Sequence, residues 1–243
     1  MNPINIACVY SENRPYYTSE YLSLFENVLK DKCPIPFEIV CLSNEPARTF
    51  RKLKSDIRPI PFILDRHHTN ASWWGKLELF RPDIEGSFLY FDLDNVITRP
   101  LDEIIDVVMK NLTTPIMIDD VDPRQKRFQS AVMWIPQSKK HLVWDQFIKN
   151  PDKFIKKAGA YGDAQIIRET EFGKKAYSFQ YLLGENGHEK ICSYRHGWTK
   201  SQSCRQNAIV VAMHGAKEKP LMPNYRKTPL VQNYVVPFIS NKR

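Results

Sequence analysis

The sequence lacks the features that mark several large classes of protein. Its 243 residues contain no run of eighteen apolar residues, so we predict no membrane-spanning helix. The opening residues, Met1 to Ala7, lead at once into a predicted strand and do not have the layout of a signal peptide. The five cysteines are scattered and form no CxxC pair, which predicts reduced thiols in a cytosolic protein and no structural zinc site.

The motifs of the common nucleotide-binding and hydrolytic enzymes are also missing. None of the nine glycines belongs to a GxGxxG or Walker loop, which argues against a dinucleotide oxidoreductase and a P-loop enzyme. Neither the HExxH motif of zinc proteases nor the GxSxG motif of serine hydrolases occurs. Any enzymatic site must therefore be built from other residues.

Positive charge is plentiful, and it is concentrated at one end of the chain. The whole sequence carries a formal charge of +8. From Lys200 to Arg243 there are eight Lys or Arg residues and one acid, so this segment alone carries +7. A basic segment predicts a phosphate-rich partner, which could be a nucleotide diphosphate, an anionic membrane surface or nucleic acid. A solvated basic tail is the alternative.

Apolar strand-like runs alternate with amphipathic segments, which predicts an α/β fold with a mostly parallel central sheet flanked by helices. Strands are predicted at 4–9, 37–42, 57–64, 88–91, 115–118, 128–136, 177–179, 191–194 and 209–213. Helices are predicted at 20–29, 72–80, 101–112, 139–149 and 151–157, and residues 160–168 are predicted as a loop that enters a helix. We expect one domain over residues 1–220 and a C-terminal tail over 221–243 that wraps on it or contacts an acceptor or membrane.

The most informative stretch is the apolar run from Phe88 to Phe91, which leads into Asp92 and Asp94. A continuous apolar run of this kind is typical of a strand that is buried on both faces of a parallel sheet. Two residues apart on an extended chain, the two aspartates would point to the same side. Ligands bind at the carboxyl ends of such strands. Adjacent carboxylates favour a hard divalent cation, Mn²⁺ or Mg²⁺.

Three interpretations of this Asp-x-Asp pair remain open from the residues alone. It fits the metal-binding pair of a nucleotide-sugar glycosyltransferase, the nucleophile and general acid of a haloacid dehalogenase-type phosphatase, or a strand end capped by solvated acids. The phosphatase motif normally opens its domain, whereas here residues 1–87 precede the strand. A non-catalytic module that binds a nucleotide sugar is a further alternative.

The order of several short motifs resembles the GT-A glycosyltransferases, in particular glycosyltransferase family 8. After the first strand come Trp-Gly-Lys-Leu-Glu-Leu-Phe, Phe-Asp-Leu-Asp, Phe-Gln-Ser-Ala-Val, Gly-Asp-Ala-Gln and His-Gly-Ala-Lys-Glu-Lys-Pro. A Ser-Tyr-Arg-His segment, found in bacterial and phage proteins related to that family, precedes the last strand. The resemblance extends from about residue 4 to Pro220. It implies a GT-A fold, in which a Rossmann-like sheet carries the donor site.

The resemblance also implies a role for individual residues of this chain. Asp92 and Asp94, with His214, would bind Mn²⁺ or Mg²⁺, and Asp92 would also contact the ribose. Lys76 and Lys219 would reach the donor phosphates. The remaining residues implied to contact the donor lie beside these phosphates, near the nucleobase or next to the transferred sugar: Gly215, Lys217, Tyr10, Ser11, Gln129 and Ser130.

For the chemical step, the resemblance implies that Asp163 lies beside the reacting anomeric carbon and that Gln165 assists. A carboxylate near the departing sugar stabilises its oxocarbenium character, and Asp119 is the second candidate for this role. We therefore expect a metal-dependent transferase that moves a sugar from a nucleotide sugar, a UDP-sugar, with retention of configuration. The expected acceptor is a glycan, a glycolipid or a modified DNA base. The expected location is the cytoplasm, including the inner membrane face or a phage-infected cell.

Overall fold

The computed structural model describes residues 3–11, 17–45, 50, 56–64, 72–120, 125, 127–213 and 219–239. In this part of the chain a seven-stranded sheet runs in the order β3-β2-β1-β4-β7-β6-β8, and a three-stranded sheet runs in the order β5-β10-β9. The strands are β1 (Ile4–Tyr10), β2 (Phe37–Ser43), β3 (Arg58–Pro61), β4 (Phe88–Phe91), β5 (Val96–Ile97), β6 (Ile116–Asp119), β7 (Phe128–Ile135), β8 (Tyr177–Ser178), β9 (Ile191–Ser193) and β10 (Val210–Ala212).

The large sheet is mostly parallel, as the alternation of strands and helices predicted. Strands β3, β2, β1 and β4 are parallel neighbours. Only β7 is reversed, because it pairs antiparallel with both β4 and β6, while β6 and β8 are parallel. The carboxyl ends of β1, β4 and β6 therefore lie at one edge of the sheet, and β7 begins there.

The sheet separates two apolar clusters, which explains the continuous apolar runs in the sequence. Along β4, Leu89 and Phe91 belong to one cluster, and Phe88 and Tyr90 belong to the other. Every residue of β4 is buried, as expected for a strand covered on both faces. A strand of this kind has no polar face and so must lie in the middle of the sheet.

Helices cover both faces of the sheet. They are α1 (Glu20–Lys32), α2 (Asp102–Lys110), α3 (His141–Phe147), α4 (Pro151–Ala158), α5 (Gly162–Glu169), α6 (Glu171–Lys174), α7 (Phe179–Leu182), α8 (Gly187–Lys190), α9 (Gln202–Asn207), α10 (Pro223–Arg226), α11 (Pro229–Tyr234) and α12 (Val236–Ile239). Three 3₁₀ helices cover Ser72–Phe80, Gln137–Lys139 and Gly159–Tyr161, and a π-helix covers Tyr194–Trp198. Among the described residues, no helix is long and apolar enough to cross a membrane.

Two local features differ from the sequence predictions. The helix expected at 72–80 is a 3₁₀ helix rather than an α-helix. Asp92 and Asp94 do not continue the strand, which ends at Phe91. They occupy a turn closed by the Asn95 amide, which donates to the Asp92 carbonyl oxygen at 3.0 Å. The two carboxylates therefore do not share one side of an extended chain, and each finds a different partner.

The C-terminal segment is helical and packs onto the domain. Leu230, Val231 and Val235 are buried in the same apolar cluster as β1 and α1. The Asn27 side-chain amide donates to the Phe238 carbonyl oxygen at 3.1 Å, which ties α1 to α12. Within the segment predicted as a tail, Pro223 and Pro229 each begin a short helix, a position that proline favours.

Lys140, just before α3, is the most unusual buried cation outside the functional site. Its ammonium group donates to the Ile84 carbonyl oxygen and lies 4.0 Å from the centre of the Phe88 ring. Burial lowers the pKa of Lys140 to about 7. In the unfolded chain a lysine keeps its proton up to a pKa of about 10.4. Between these two values the unfolded state binds more protons than the folded state.

We therefore predict that the free energy of unfolding rises with pH between about 7 and 10, with a slope of up to ~1.4 kcal/mol per pH unit from this group. Lys140→Met should flatten that rise, because the titrating amine is gone. Urea unfolding across this pH range checks the prediction. Lys149→Met removes an amine at an exposed position. It is the control and should keep the wild-type slope. An unchanged slope in Lys140→Met would contradict the assignment.

Candidate functional site

A buried ammonium group lies at the carboxyl edge of the sheet, between two carboxylates. The Nζ atom of Lys76 is 2.9 Å from Asp92 Oδ1 and 3.1 Å from Asp163 Oδ2. It also donates to Ser130 Oγ at 3.0 Å and to the Ser130 carbonyl oxygen at 3.2 Å. Ser130 Oγ in turn donates to Asp163 Oδ2 at 2.5 Å. We call Lys76, Asp92, Ser130 and Asp163 the lysine cluster.

Four separate elements bring the lysine cluster together. Lys76 comes from the 3₁₀ helix Ser72–Phe80, Asp92 follows β4, Ser130 lies in β7, and Asp163 lies in the first turn of α5. The four residues are far apart in the sequence, so only the folded sheet places them in contact. The cluster is therefore a property of the tertiary structure.

The backbone around Lys76 is fixed by a buried carboxylate on the same 3₁₀ helix. Glu78 accepts hydrogen bonds from the backbone amides of Ile63 and Leu64 at 2.8 and 3.0 Å. It also accepts from Arg81 Nη1 at 2.9 Å. The neighbours Leu77 and Leu79 are fully buried in the apolar cluster beneath. Anchored on both sides, this short helix holds Lys76 in a defined position.

The turn after β4 is fixed in a similar way. The Asp92 amide donates to the Ala131 carbonyl oxygen at 2.9 Å. The Asn95 side chain donates to the same oxygen at 2.8 Å. The phenol of Tyr90 donates to Asp92 Oδ1, so the side chain of Asp92 is also oriented. Strand β7 therefore holds the aspartate turn in register with Ser130.

Burial and charge oppose each other in the pKa values of the cluster. Burial would lower the pKa of Lys76, but the carboxylates of Asp163 and Asp92 outweigh it and raise that pKa above its usual value. Burial raises the pKa of Asp92, an effect that Lys76 counteracts and the neighbouring Asp94 and Asp163 reinforce. Lys76 thus stays charged, and it is shared by two carboxylates that would otherwise repel each other.

Asp94 has a cationic partner of its own. Its Oδ2 atom is paired with Nζ of Lys219, and both side chains are more than nine-tenths buried. The Lys219 ammonium group also lies 5.4 Å from the centre of the Tyr17 ring. The ion pair therefore holds the start of the C-terminal segment, at Lys219, against the turn that contains Asp94.

The described groups of this site carry an excess of negative charge. Asp92, Asp94 and Asp163 supply three carboxylates, and Lys76 and Lys219 supply two ammonium groups. Carboxylate oxygens are the ligands that Mn²⁺ and Mg²⁺ prefer, so this donor set fits a hard cation. In the described part of the chain, no three His, Cys, Asp or Glu side chains converge closely enough to hold a metal ion. The predicted third ligand, His214, lies outside that part.

A cavity of about 760 Å³ lies beside the lysine cluster, between the ends of β6 and β7 and the small sheet. Asp119, Asp120, Arg127 and Arg168 are among its charged lining residues. Gln129 donates to Asp120 Oδ2 at 2.8 Å, while the next residue along β7, Ser130, belongs to the lysine cluster. Strand β7 therefore connects the lining of the cavity to the cluster.

The remaining predicted residues are distributed around these two features. Tyr10 and Ser11 are buried at the end of β1, and the Ser11 hydroxyl has no hydrogen-bond partner among the described residues. Asp119 accepts from Ser178 Oγ at 2.7 Å in the wall of the cavity, away from the lysine cluster. Gln165 donates to Glu169 Oε1 at 2.8 Å and accepts from Arg168 Nη2 at 3.1 Å. Gly215 and Lys217 lie outside the described residues.

Sequence reasoning missed four residues that shape the site. Tyr90 was counted only as part of an apolar strand, yet its phenol orients Asp92. Asp120 was not assigned a role, although a second acid directly after a predicted strand was a usable signal. Arg127 and Arg168 are separated in the sequence by β7, α3, α4 and most of α5, and no local pattern indicated that they line one cavity.

Comparison with known proteins supports this architecture through structure alone. No family model matches the chain, and no curated protein matches it in sequence. The galactosyltransferase LgtC, solved with donor and acceptor sugar analogues, superposes with a TM-score of 0.67 at 12% identity, covering 97% of this chain and 95% of LgtC. The bifunctional glycosyltransferase WbbM superposes with a TM-score of 0.65 at 13% identity, and this chain covers half of it.

A mammalian enzyme shows the same arrangement. Mouse xyloside xylosyltransferase 1 superposes with a TM-score of 0.53 at 10% identity, covering 88% of this chain and 98% of the mouse protein. Identities this low establish the fold and nothing finer. The chain has the fold of the GT-A nucleotide-sugar glycosyltransferases, which confirms the fold that the order of its motifs implied.

Proposed function

We propose that the protein is a metal-dependent glycosyltransferase that moves a sugar from a nucleotide sugar, a UDP-sugar, to an acceptor hydroxyl with retention of configuration. The observation that carries this proposal is the convergence of three carboxylates and two buried ammonium groups at the carboxyl edge of a GT-A sheet. A site with this mixture of charges suits a ligand that brings both a diphosphate and a divalent cation.

Asp92 and Asp94 are the residues of the described chain that would hold the metal, and His214 is the proposed third ligand. When bound, the ion would neutralise charge on the donor diphosphate and on the leaving nucleotide. The negative excess of the site favours such an ion, because each aspartate retains unused oxygen lone pairs beside its lysine.

The two lysines have a role that is separate from the metal. Cleavage of the bond between the anomeric carbon and the diphosphate oxygen leaves the bonding electron pair on that oxygen. Lys76 and Lys219, already held in the site by the aspartates, can exchange carboxylate contacts for contacts with the departing phosphate oxygens. Ammonium groups fixed before the reaction stabilise this charge without reorganisation of water.

Asp163 is proposed to stabilise positive charge, whereas the two lysines stabilise negative charge. As the sugar departs it acquires positive character at the anomeric carbon, and a nearby carboxylate stabilises that charge. Ser130 and Lys76 fix the orientation of Asp163, so its position is defined before substrate binds. The acceptor oxygen then bonds to the anomeric carbon, and its proton leaves with the diphosphate. Asp119, in the wall of the adjoining cavity, is proposed to contact the acceptor side of the reacting sugar.

Donor binding is the first test. With Mn²⁺ and the correct UDP-sugar at about one hundred times its Kd, we expect the melting temperature to rise by at least about 3 °C, because ligand binds only the folded state. Asp94→Asn should abolish the rise, since it removes a metal ligand. A panel of nucleotide sugars in a thermal shift assay provides the measurement.

The control for this experiment is Asp145→Asn, which removes an exposed carboxylate from α3 and should leave the rise unchanged. The proposal would be overturned if no nucleotide sugar shifted the melting temperature while the protein released phosphate from a generic phosphoester in the presence of Mg²⁺. That result would favour the phosphatase interpretation.

The second prediction concerns Asp163. Asp163→Asn should lower the turnover of donor hydrolysis, the transfer of sugar to water, by about 10²-fold, because the neutral amide no longer stabilises positive charge. KM for the donor should change by less than about threefold, since the diphosphate contacts remain. Nucleotide release measured over a range of donor concentrations separates the two effects. A large change in KM with unchanged turnover would contradict this role.

The third prediction follows from the ion pair between Lys219 and Asp94. Lys219 must leave Asp94 before a cation can bind there, so Lys219→Met should raise the affinity of the donor-free protein for Mn²⁺ by about tenfold. The same variant should bind the UDP-sugar more weakly, because a phosphate contact is lost. Calorimetric titration with Mn²⁺ alone measures the first effect, and Lys227→Met in the exposed C-terminal segment is the control. Weaker Mn²⁺ binding in Lys219→Met would refute the competition.

A further inference from the structure

The cavity beside the lysine cluster is lined by both charged and apolar side chains. Its volume of about 760 Å³ lies within the usual range of small-molecule sites, roughly 300–1,000 Å³. Ile118, Ile191 and Ala212 are among the apolar lining residues, and Arg127 and Arg168 are among the charged ones. Such a lining can contact both the apolar face of a sugar ring and a charged substituent.

The two acids that line the cavity, Asp119 and Asp120, already accept hydrogen bonds from the protein. Asp120 Oδ2 accepts from Arg127 Nε at 2.6 Å and from Gln129 Nε2 at 2.8 Å. Asp119 Oδ2 accepts from Ser178 Oγ at 2.7 Å and lies 3.7 Å from His188 Nε2. The negative charge of these carboxylates is therefore partly offset by neighbouring donors in the protein.

The guanidinium groups of Arg127 and Arg168, in contrast, have N–H donors that bond no described residue. Within the described chain, the only hydrogen bond from the Arg127 side chain is the one from Nε to Asp120, so its two Nη atoms keep their donors. Arg168 donates only from Nη2, to Gln165 at 3.1 Å, and pairs with no carboxylate of the described residues. Among the described residues, only one of the two arginines is therefore paired with an acid.

The two guanidinium groups are close enough to affect each other. Burial, followed by the charge of Arg127, lowers the pKa of Arg168. Arg127 also lies 5.2 Å from the centre of the Tyr161 ring, which holds its guanidinium plane in place. Tyr161 itself is 61% exposed. An anion between the arginines would relieve their repulsion.

We propose that this cavity binds the acceptor and that Arg168, with Arg127, selects an acceptor sugar carrying an oxyanion substituent, a carboxylate or a phosphate ester. The inference rests on the proposed function, since it names the acceptor class of that same site. The planar fork of Nη donors suits both oxyanions, because each offers two oxygens to one guanidinium group. Strand β7 connects this cavity to the lysine cluster, because Gln129 donates to Asp120 in the cavity lining and Ser130 donates to Asp163.

The test compares sugars that differ only in the charged group. Methyl β-D-glucoside, methyl β-D-glucuronide and methyl β-D-glucoside 6-phosphate are titrated against the full chain without donor, and binding is followed by saturation-transfer NMR. We expect at least one anionic sugar to bind about tenfold more tightly than the neutral glycoside, the gain of a charge-assisted hydrogen bond. The glucuronide and the phosphate arms distinguish the two sources of the oxyanion.

Variants then locate the effect. Arg168→Met should reduce the anionic preference to less than about twofold, because the unpaired guanidinium group is gone. Arg168→Lys should restore only part of it, since an ammonium group lacks the fork. Arg58→Met removes the same charge from the exposed edge strand β3 and should keep the full preference. Arg127 is left unchanged because its loss would strand the buried Asp120.

Three results would overturn the inference. These are equal binding of neutral and anionic sugars, a preference that survives in Arg168→Met, and a preference lost equally in Arg58→Met, which would indicate net charge alone. Failure of the proposed function gives a different pattern, because it appears in the separate thermal shift assay with UDP-sugars. A donor-induced shift together with no anionic preference rejects only the acceptor assignment.

Discussion

The site depends on one buried ion cluster, in which the ammonium group of Lys76 is shared by Asp92 and Asp163. Charges removed from water are tolerated only when they are paired and hydrogen-bonded, so each member constrains the others. The cluster joins a 3₁₀ helix, the end of β4, strand β7 and the first turn of α5. Loss of the lysine would leave two carboxylates facing each other across a buried gap. The charge that a substrate would meet is therefore also the charge that holds the edge of the sheet together.

A second ion pair, between Asp94 and Lys219, gives this edge a further property. Both aspartates of the turn are held by lysines rather than by water, so the site is ordered before a ligand arrives. A ligand that brings a divalent cation and a diphosphate offers each of these groups a new partner of the correct sign. The exchange conserves charge pairing throughout, which avoids the cost of an isolated buried charge at any stage.

Strand β7 organises the relation between the lysine cluster and the neighbouring cavity. As the reversed strand of the large sheet, it begins at the carboxyl edge instead of ending there. Two of its first residues, Gln129 and Ser130, bond Asp120 in the cavity wall and Asp163 in the cluster, respectively. A parallel strand would have presented its last residues at this edge, followed at once by a loop. The reversal thus lets the first residues of one strand contact both the cavity lining and the lysine cluster.

The sequence determined the layers of the fold, because its apolar runs match strands that are buried on both faces and its amphipathic segments match covering helices. It also determined which acids end β4, and the ordered motifs pointed to Lys76, Ser130 and Asp163, which the fold does bring into contact. It could not show that Asp92 and Asp94 occupy a turn and face different lysines, because backbone geometry beyond a strand end depends on hydrogen bonds from β7. Nor could it show that Gln165 bonds Arg168 and Glu169, or that Arg127 and Arg168 line one cavity. Local sequence patterns indicate secondary-structure propensity and which residues are buried. The pairing of charges that are distant in the sequence depends on the folded sheet, which brings them within a few ångströms of each other.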